Sequence, residues 1–317
     1  MTAGYQTPSD LMASPARSAS SRPLDSTAIA VMIGLCLSWG LHNVAIKVAI
    51  HDIPPLIQSA ARSAIAAVLV VAWTSARGIP LFTRDGTLLA GLGAGVLFAL
   101  EFLLIYRGLV FTTAPRGVLF LYLAPFFVVI GSRWLMPTDR FGVSQWIGLC
   151  LSFAGIVIAF GIPTSSDNSD GLMPRQIMGD IMFIGAALAW AATTLLIKAT
   201  ALNRISAEKI LLYQLVVSAP LLGAAALLFG EHLAVTPSPI ALAAFAYQTL
   251  WVSSVTFPVW FALIVRYSAA RLSVFTFLAP LFGVVAGYFL LNEPITMGFA
   301  AAVGLVVGGL LLVNWPR

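Results

Sequence analysis

The sequence predicts an all-α integral membrane fold, with ten transmembrane helices arranged as two inverted five-helix repeats around a central cavity. Three observations carry that prediction. Of the 317 residues, 60% are hydrophobic and only 9% charged, and the mean hydropathy is +0.96. A soluble domain carries about 25% charged residues, so this chain has too few polar groups to face water on all sides. The apolar residues fall into ten runs, each near the roughly 20 residues that cross a bilayer as a helix. The first five runs and the last five share motifs in the same order.

Residues 1–26 are rich in Ser, Pro, Thr and Ala. They read as a disordered cytoplasmic tail and lack the apolar centre of a secretory signal. Span one is Thr27–Ile50. Its Trp39, His42, Asn43 and Lys47 fall on one face at helical spacing. Amide and imidazole groups turned to lipid lack partners, so Trp39, His42 and Asn43 are read as cavity wall, with interhelical hydrogen bonding as the alternative. Pro54 and Pro55 open span two, Pro54–Trp73, which carries Arg62. The break Gly78-Ile79-Pro80 precedes span three, Leu88–Val110, with Glu101 near its middle. A charge at bilayer depth costs roughly 2.5–3.5 kcal/mol on insertion scales, so it needs a reason. The functional reading makes Glu101 a proton or substrate-ammonium site and turns Arg62 toward a carboxylate. The structural reading pairs them between helices, or lets Arg62 and Lys47 snorkel.

Span four, Gly117–Trp134, contains Pro125, and span nine, Leu272–Leu291, contains Pro280. Each proline removes a helix hydrogen bond and kinks the chain; both are read as hinges, with a static bend as the alternative. Span five is Gly142–Phe160. The polar stretch 161–178 is the longest connection and reads as the linker between repeats 27–160 and 179–317. Span six, Gly179–Thr200, holds Trp190, and span seven, Ser206–Phe229, holds Gln214 where the first half has Arg62. In span eight, Ile240–Tyr267, the residues Tyr247, Trp251, Ser254 and Pro258 share a face at α-helical spacing. An aromatic wall with few polar groups suits a flat apolar ligand, so Tyr247 and Trp251 are read as substrate contacts; an interfacial belt is the alternative. Span ten is Thr296–Val313. The GxxxG spacings of Gly91 with Gly95 and of Gly304 with Gly308 predict close helix packing.

With the N-terminus inside, 12 Lys and Arg fall on the inner side and 4 on the outer, Arg62 lying within a span. The positive-inside bias then puts both termini in the cytoplasm. The basic residues sit in short turns, so the net charge of +5 reports topology and not nucleic-acid binding. Cys36 and Cys150 lie inside apolar runs and form no metal or redox motif. No Walker A, HExxH, CxxC or GxSxG pattern occurs. No cofactor is therefore expected, an ATP-driven pump is disfavoured, and the chain does not read as an enzyme. A membrane-embedded enzyme needs a paired acid, base or metal cluster where only Glu101 and His42 stand. A structural membrane protein is the other alternative.

Trp39 precedes Ile46-Lys47 by the interval that separates Trp190 from Ile197-Lys198, at an offset of 151. Leu123-Ala124-Pro125 recurs as Leu278-Ala279-Pro280 at an offset of 155, and Gly142 and Gly148 recur as Gly298 and Gly304 at an offset of 156. Five spans per half force the second copy to enter from the opposite side. Such inverted repeats are common in transporters, with the substrate site near the midplane between the halves.

These features resemble the drug/metabolite transporter superfamily, of the ten-helix EamA type, over residues 27–315. The resemblance rests on "LSWGLHNVAIKVAI", on "PPLIQSAAR" with Arg62, on the "LxLAP" and "FTFLAP" spans, and on the ending with Glu293, Pro294, Gly298 and Gly304. It departs where Pro137-Thr138-Asp139 replaces a Glu-Pro. The resemblance implies a secondary transporter working by alternating access, with spans one to four and six to nine lining the cavity and spans five and ten peripheral. The chain is similar to bacterial exporters of aromatic and other amino acids, which implies an inner-membrane protein. Its partners are then a small-molecule substrate and lipid, with protons as a candidate coupling ion and a monomer or weak homo-oligomer as the assembly. Multidrug or other metabolite efflux is the alternative.

Overall fold

The computed structural model describes residues 24–112, 114–136, 141–160, 172–292, 295 and 298–315, with the backbone alone at 114–115 and 172–174. Most of the N-terminal tail, linker residues 161–171, and the Pro137-Thr138-Asp139 and Glu293-Pro294 motifs lie outside the described residues.

Asp25 caps α1 (Ser26–Ala49), its carboxylate accepting from Ala28 N at 2.8 Å. Pro55 opens α2 (Pro55–Ala76), where its missing N–H has no helical partner to lose. α3 (Leu88–Gly108) follows. The fourth span is broken into α4 (Ala114–Leu121) and α5 (Ala124–Leu135). α6 (Val143–Phe160) closes the first half.

α7 (Leu172–Ala199) begins inside the stretch read as linker. Pro174 lies in its first turn, the one place a helix tolerates it. Ser206 caps α8 (Ala207–Leu228) through Lys209 N. The eighth span is α9 (Pro239–Ala246), a π-helix (Tyr247–Thr256) and α10 (Phe257–Arg266). The ninth is broken into α11 (Ala269–Phe275) and α12 (Leu278–Leu291), and α13 (Phe299–Asn314) is the tenth. Among the described residues, nine spans are long and apolar enough to cross a membrane, and α13 is a shorter apolar helix. This is an integral membrane protein.

Both broken spans break one turn before the proline that the repeat shares. Pro125 cannot donate to Leu121 and Pro280 cannot donate to Thr276, and the chain reforms a helix at Ala124 and Leu278. Tyr122 and Phe277, themselves 155 apart, sit at the breaks and stack on each other, ring centroids 5.8 Å apart and tilted by 33°.

Helix pairing is symmetric between the halves. α1 packs on α12, and α4 and α5 pack on α7. α3 packs on α7, and α1 packs on the eighth span. Two pairs join each repeat to its own counterpart: α2 with α8, and α6 with α13. Both are antiparallel. Gln145 near the start of α6 donates to Val313 O at the end of α13 (3.0 Å). At the ends of the other pair, Glu231 just after α8 accepts from Leu56 N and Ile57 N at the start of α2 (2.9 and 3.1 Å). At its far end, Lys209 at the start of α8 donates to Asp85 in the α2–α3 connection (2.7 Å) and to Thr83.

The close helix packing differs in part from the GxxxG expectation. Gly91 and Gly95 do let α3 approach α8, against Tyr213 and Val217. Gly304 has open space beside it. The intimate contact of α6 with α13 is made instead by Gly148 and Gly309, where an added Cβ on either would strike the other's carbonyl oxygen. A glycine's neighbourhood depends on which face its helix turns inward, and spacing alone does not encode that.

Candidate functional site

A cavity of about 210 Å³ lies between the two halves. α1 gives it Trp39, His42 and Asn43; α3 gives Phe98, Glu101, Phe102 and Tyr106. The break of the fourth span contributes Tyr122, α7 contributes Trp190, Thr193 and Thr194, and α8 contributes Gln214. From the eighth span come Phe257, Trp260 and Phe261, and from α12 comes Ala279. Aromatic rings dominate the wall. Trp39 meets Trp260 edge-on at 5.5 Å, Phe98 meets Phe257 at 5.9 Å, and Tyr122 meets Trp190 at 6.2 Å.

Five of the residues singled out in the sequence, Trp39, His42, Asn43, Glu101 and Trp190, come together here. Tyr247 and Trp251 do not. Both turn to the neighbouring side of α1, where Tyr247 Oη donates to Ser38 O and Trp251 Nε1 donates to Ser38 Oγ, each at 3.1 Å. Trp251 is 48% exposed, on the outside of the bundle. The cause is local. Pro258 would clash with the carbonyl one turn before it, and the chain upstream winds into a π-helix with i→i+5 bonds. The α-helical face read from Tyr247 through Pro258 therefore does not exist as such, and Phe257, Trp260 and Phe261 take the cavity side. Pro125 and Pro280 lie at the helix breaks described above.

Three polar groups of the wall are bonded within the protein. Trp39 Nε1 donates to Thr256 Oγ1 at 3.1 Å, and Thr193 and Thr194 donate to carbonyls of their own helix at 2.9 and 3.1 Å. Gln214 differs: it is fully buried, and neither amide atom has a partner among the described residues. Among the described residues, Glu101 is the one carboxylate of the lining.

Arg62 itself neither lines the cavity nor snorkels. It is 1% exposed, with its Nη1 3.2 Å from His42 Nε2, its Nη2 3.5 Å from Ser59 Oγ, and its guanidinium 4.5 Å from the Phe102 centroid. The cation–π contact offsets part of its desolvation. Gln214 and Tyr122 were missed as site residues. The signal for them was present: Gln214 is the counterpart of Arg62, and Tyr122 abuts the repeated Leu-Ala-Pro.

The ends of the bundle carry ionic ties. Hydrogen bonds from Lys209, and then from Thr87, hold the Asp85 carboxyl well below the usual range. The side chain and then the backbone of Ser238 lower the Asp52 carboxyl from its ordinary value (2.5 and 2.8 Å). On the face of the bundle that holds Asp52, Asp180 takes a bidentate pair from Arg116 at 2.6 to 2.9 Å.

Repeat symmetry, apolar spans and a sparsely polar chamber between the halves define a membrane transporter for small solutes. The sequence model of the EamA-like transporter family matches residues 26–161 and again 177–315, and the chain belongs to that family. It is 24% identical to the uncharacterized transporter YvbV of Bacillus subtilis (strain 168), over 92% of this chain and 93% of that one. It is 25% identical to a probable amino-acid metabolite efflux pump of Escherichia coli (strain K12), over 85% and 89% respectively. A solved crystal structure at 20% identity superposes with a TM-score of 0.77, covering 91% of this chain and 97% of its own, a likeness of fold. The protein is a transporter and not an enzyme.

Proposed function

We propose that this transporter is a secondary carrier that exports small amino-acid-like metabolites, aromatic ones included, across a bacterial inner membrane. Two inverted repeats, 27–160 and 179–317, alternate access to one site, and both termini lie in the cytoplasm. The observation that carries the reading is the cavity: about 210 Å³, walled by aromatic rings from both halves, with Glu101 its one carboxylate. That space suits a metabolite better than a large drug. Glu101 suits an ammonium group or a proton, and the rings of Trp39, Trp190 and Trp260 suit an apolar side chain.

Relatives named as probable amino-acid metabolite efflux pumps point the same way. Counterflow into proteoliposomes with a panel of labelled amino acids tests the reading. Saturable exchange of Phe, Trp or Leu supports it, and exchange of dyes or nucleosides alone replaces it with another cargo.

A further inference from the structure

We infer that Arg62 is a state-dependent subsite for a solute carboxylate: masked in the present state, and turned to the cavity when the two repeats exchange conformations. The inference rests on the carrier reading above and adds a residue and a sidedness to it.

The argument starts from counterpart positions. His42 corresponds to Thr193 at the offset of 151, and Arg62 corresponds to Gln214 at an offset of 152. Each half therefore holds one equivalent pair. In the first half the pair is joined: Arg62 Nη1 lies 3.2 Å from His42 Nε2, and Arg62 stays out of the cavity lining. In the second half it is parted. Gln214 lines the cavity, neither of its amide atoms has a partner among the described residues, and the Thr193 hydroxyl donates to Ala189 O instead.

A buried amide with no partner costs free energy and calls for an explanation. Exchange of conformations supplies one. An inverted-repeat carrier reaches its second access state when each half takes up the conformation of the other. Gln214 then bonds to Thr193, as Arg62 is paired with His42 here. Arg62 parts from His42 and takes the lining position that Gln214 holds now. A guanidinium in that position is a fork of N–H donors matched to a carboxylate. The same chamber thus offers a solute carboxylate no charged partner in one state and a cation in the other. The two faces of the membrane are served by sites of unequal affinity.

The test measures half-saturation for L-phenylalanine separately on the two faces, in right-side-out and inside-out vesicles, with L-phenylalaninamide as the probe lacking the carboxylate. Wild type is expected to bind L-phenylalanine more tightly on one face, by about tenfold, the scale of a charged hydrogen bond, with no such difference for the amide. Arg62→Gln makes the two halves alike at this position and is expected to abolish the difference by weakening the tighter face only. Arg62→Lys is expected to retain part of it, and Gln214→Arg to tighten the other face. Folding of each variant is checked by its melting temperature in detergent.

Equal weakening on both faces by Arg62→Gln, or a sidedness shared by the amide, overturns the subsite while leaving amino-acid transport standing. Absence of any L-phenylalanine flux in wild type alongside flux of other solutes overturns the substrate reading. Retention of wild-type sidedness in a well-folded Arg62→Leu variant overturns the subsite for any cargo.

Discussion

Glu101 and Trp260 are the residues on which the proposed chemistry concentrates. Glu101→Gln keeps the size and hydrogen-bonding capacity of the side chain and removes its charge. Flux through that variant is expected to lose its pH dependence between about pH 5 and 8, the window a cavity carboxylate needs to act as a proton site. A profile matching wild type assigns proton coupling elsewhere. Asp85 does not confuse that window. Its carboxyl is depressed chiefly by Lys209, so the stabilisation it contributes is complete above an ordinary carboxylate value of about 4. It is lost only as pH falls through the still lower value in the folded protein. Trp260→Ala, which opens the wall opposite Trp39, is expected to raise half-saturation for aromatic amino acids about tenfold, the scale of a lost buried aromatic contact. Trp251→Ala is the control. It removes one hydrogen bond to Ser38, worth about 1 kcal/mol, so the melting temperature in detergent falls while half-saturation stays put.

Individual helices show why some of this was legible in the sequence and some was not. The stripe of span one was legible because α1 is a regular helix, and steps of 100° put Trp39, His42 and Asn43 on one wall. Span ends were legible because prolines and glycines punctuate them; observed and expected boundaries for α1, α3 and α6 differ by two residues or fewer. The inner face of span eight was not legible, because a single proline changes the winding of the ten residues before it. The linker was overdrawn because Pro174, Arg175 and Gln176 read as a connection, yet they lie in the first turns of α7. The terminal ties were invisible, since Asp85 with Lys209 and Glu231 with α2 join residues more than 120 positions apart. These two ties occupy opposite ends of the antiparallel α2–α8 pair. Asp85→Asn is expected to favour the state open at the end it holds, and Glu231→Gln the opposite one. Labelling of Thr194→Cys and Ile105→Cys by a charged thiol reagent reads the shift, which should be severalfold and of opposite sign in the two variants. A shift of the same sign in both marks the ties as simple struts.

Across the molecule, the symmetry is one of contacts as well as of motifs, and it makes the topology testable. Reporter fusions at both ends are expected to be active only in the cytoplasm; termini found on different sides would require an odd number of spans and end the two-repeat reading. The stack of Tyr122 on Phe277 sets a further condition. These rings are each other's counterpart, so their contact lies on the pseudo-two-fold axis and maps onto itself when the halves trade places. On the proposed exchange of conformations, the two bends are expected to be geared through these rings, so that one mouth closes as its twin opens; a Tyr122→Ala variant that leaks ions across the bilayer would show the coupling.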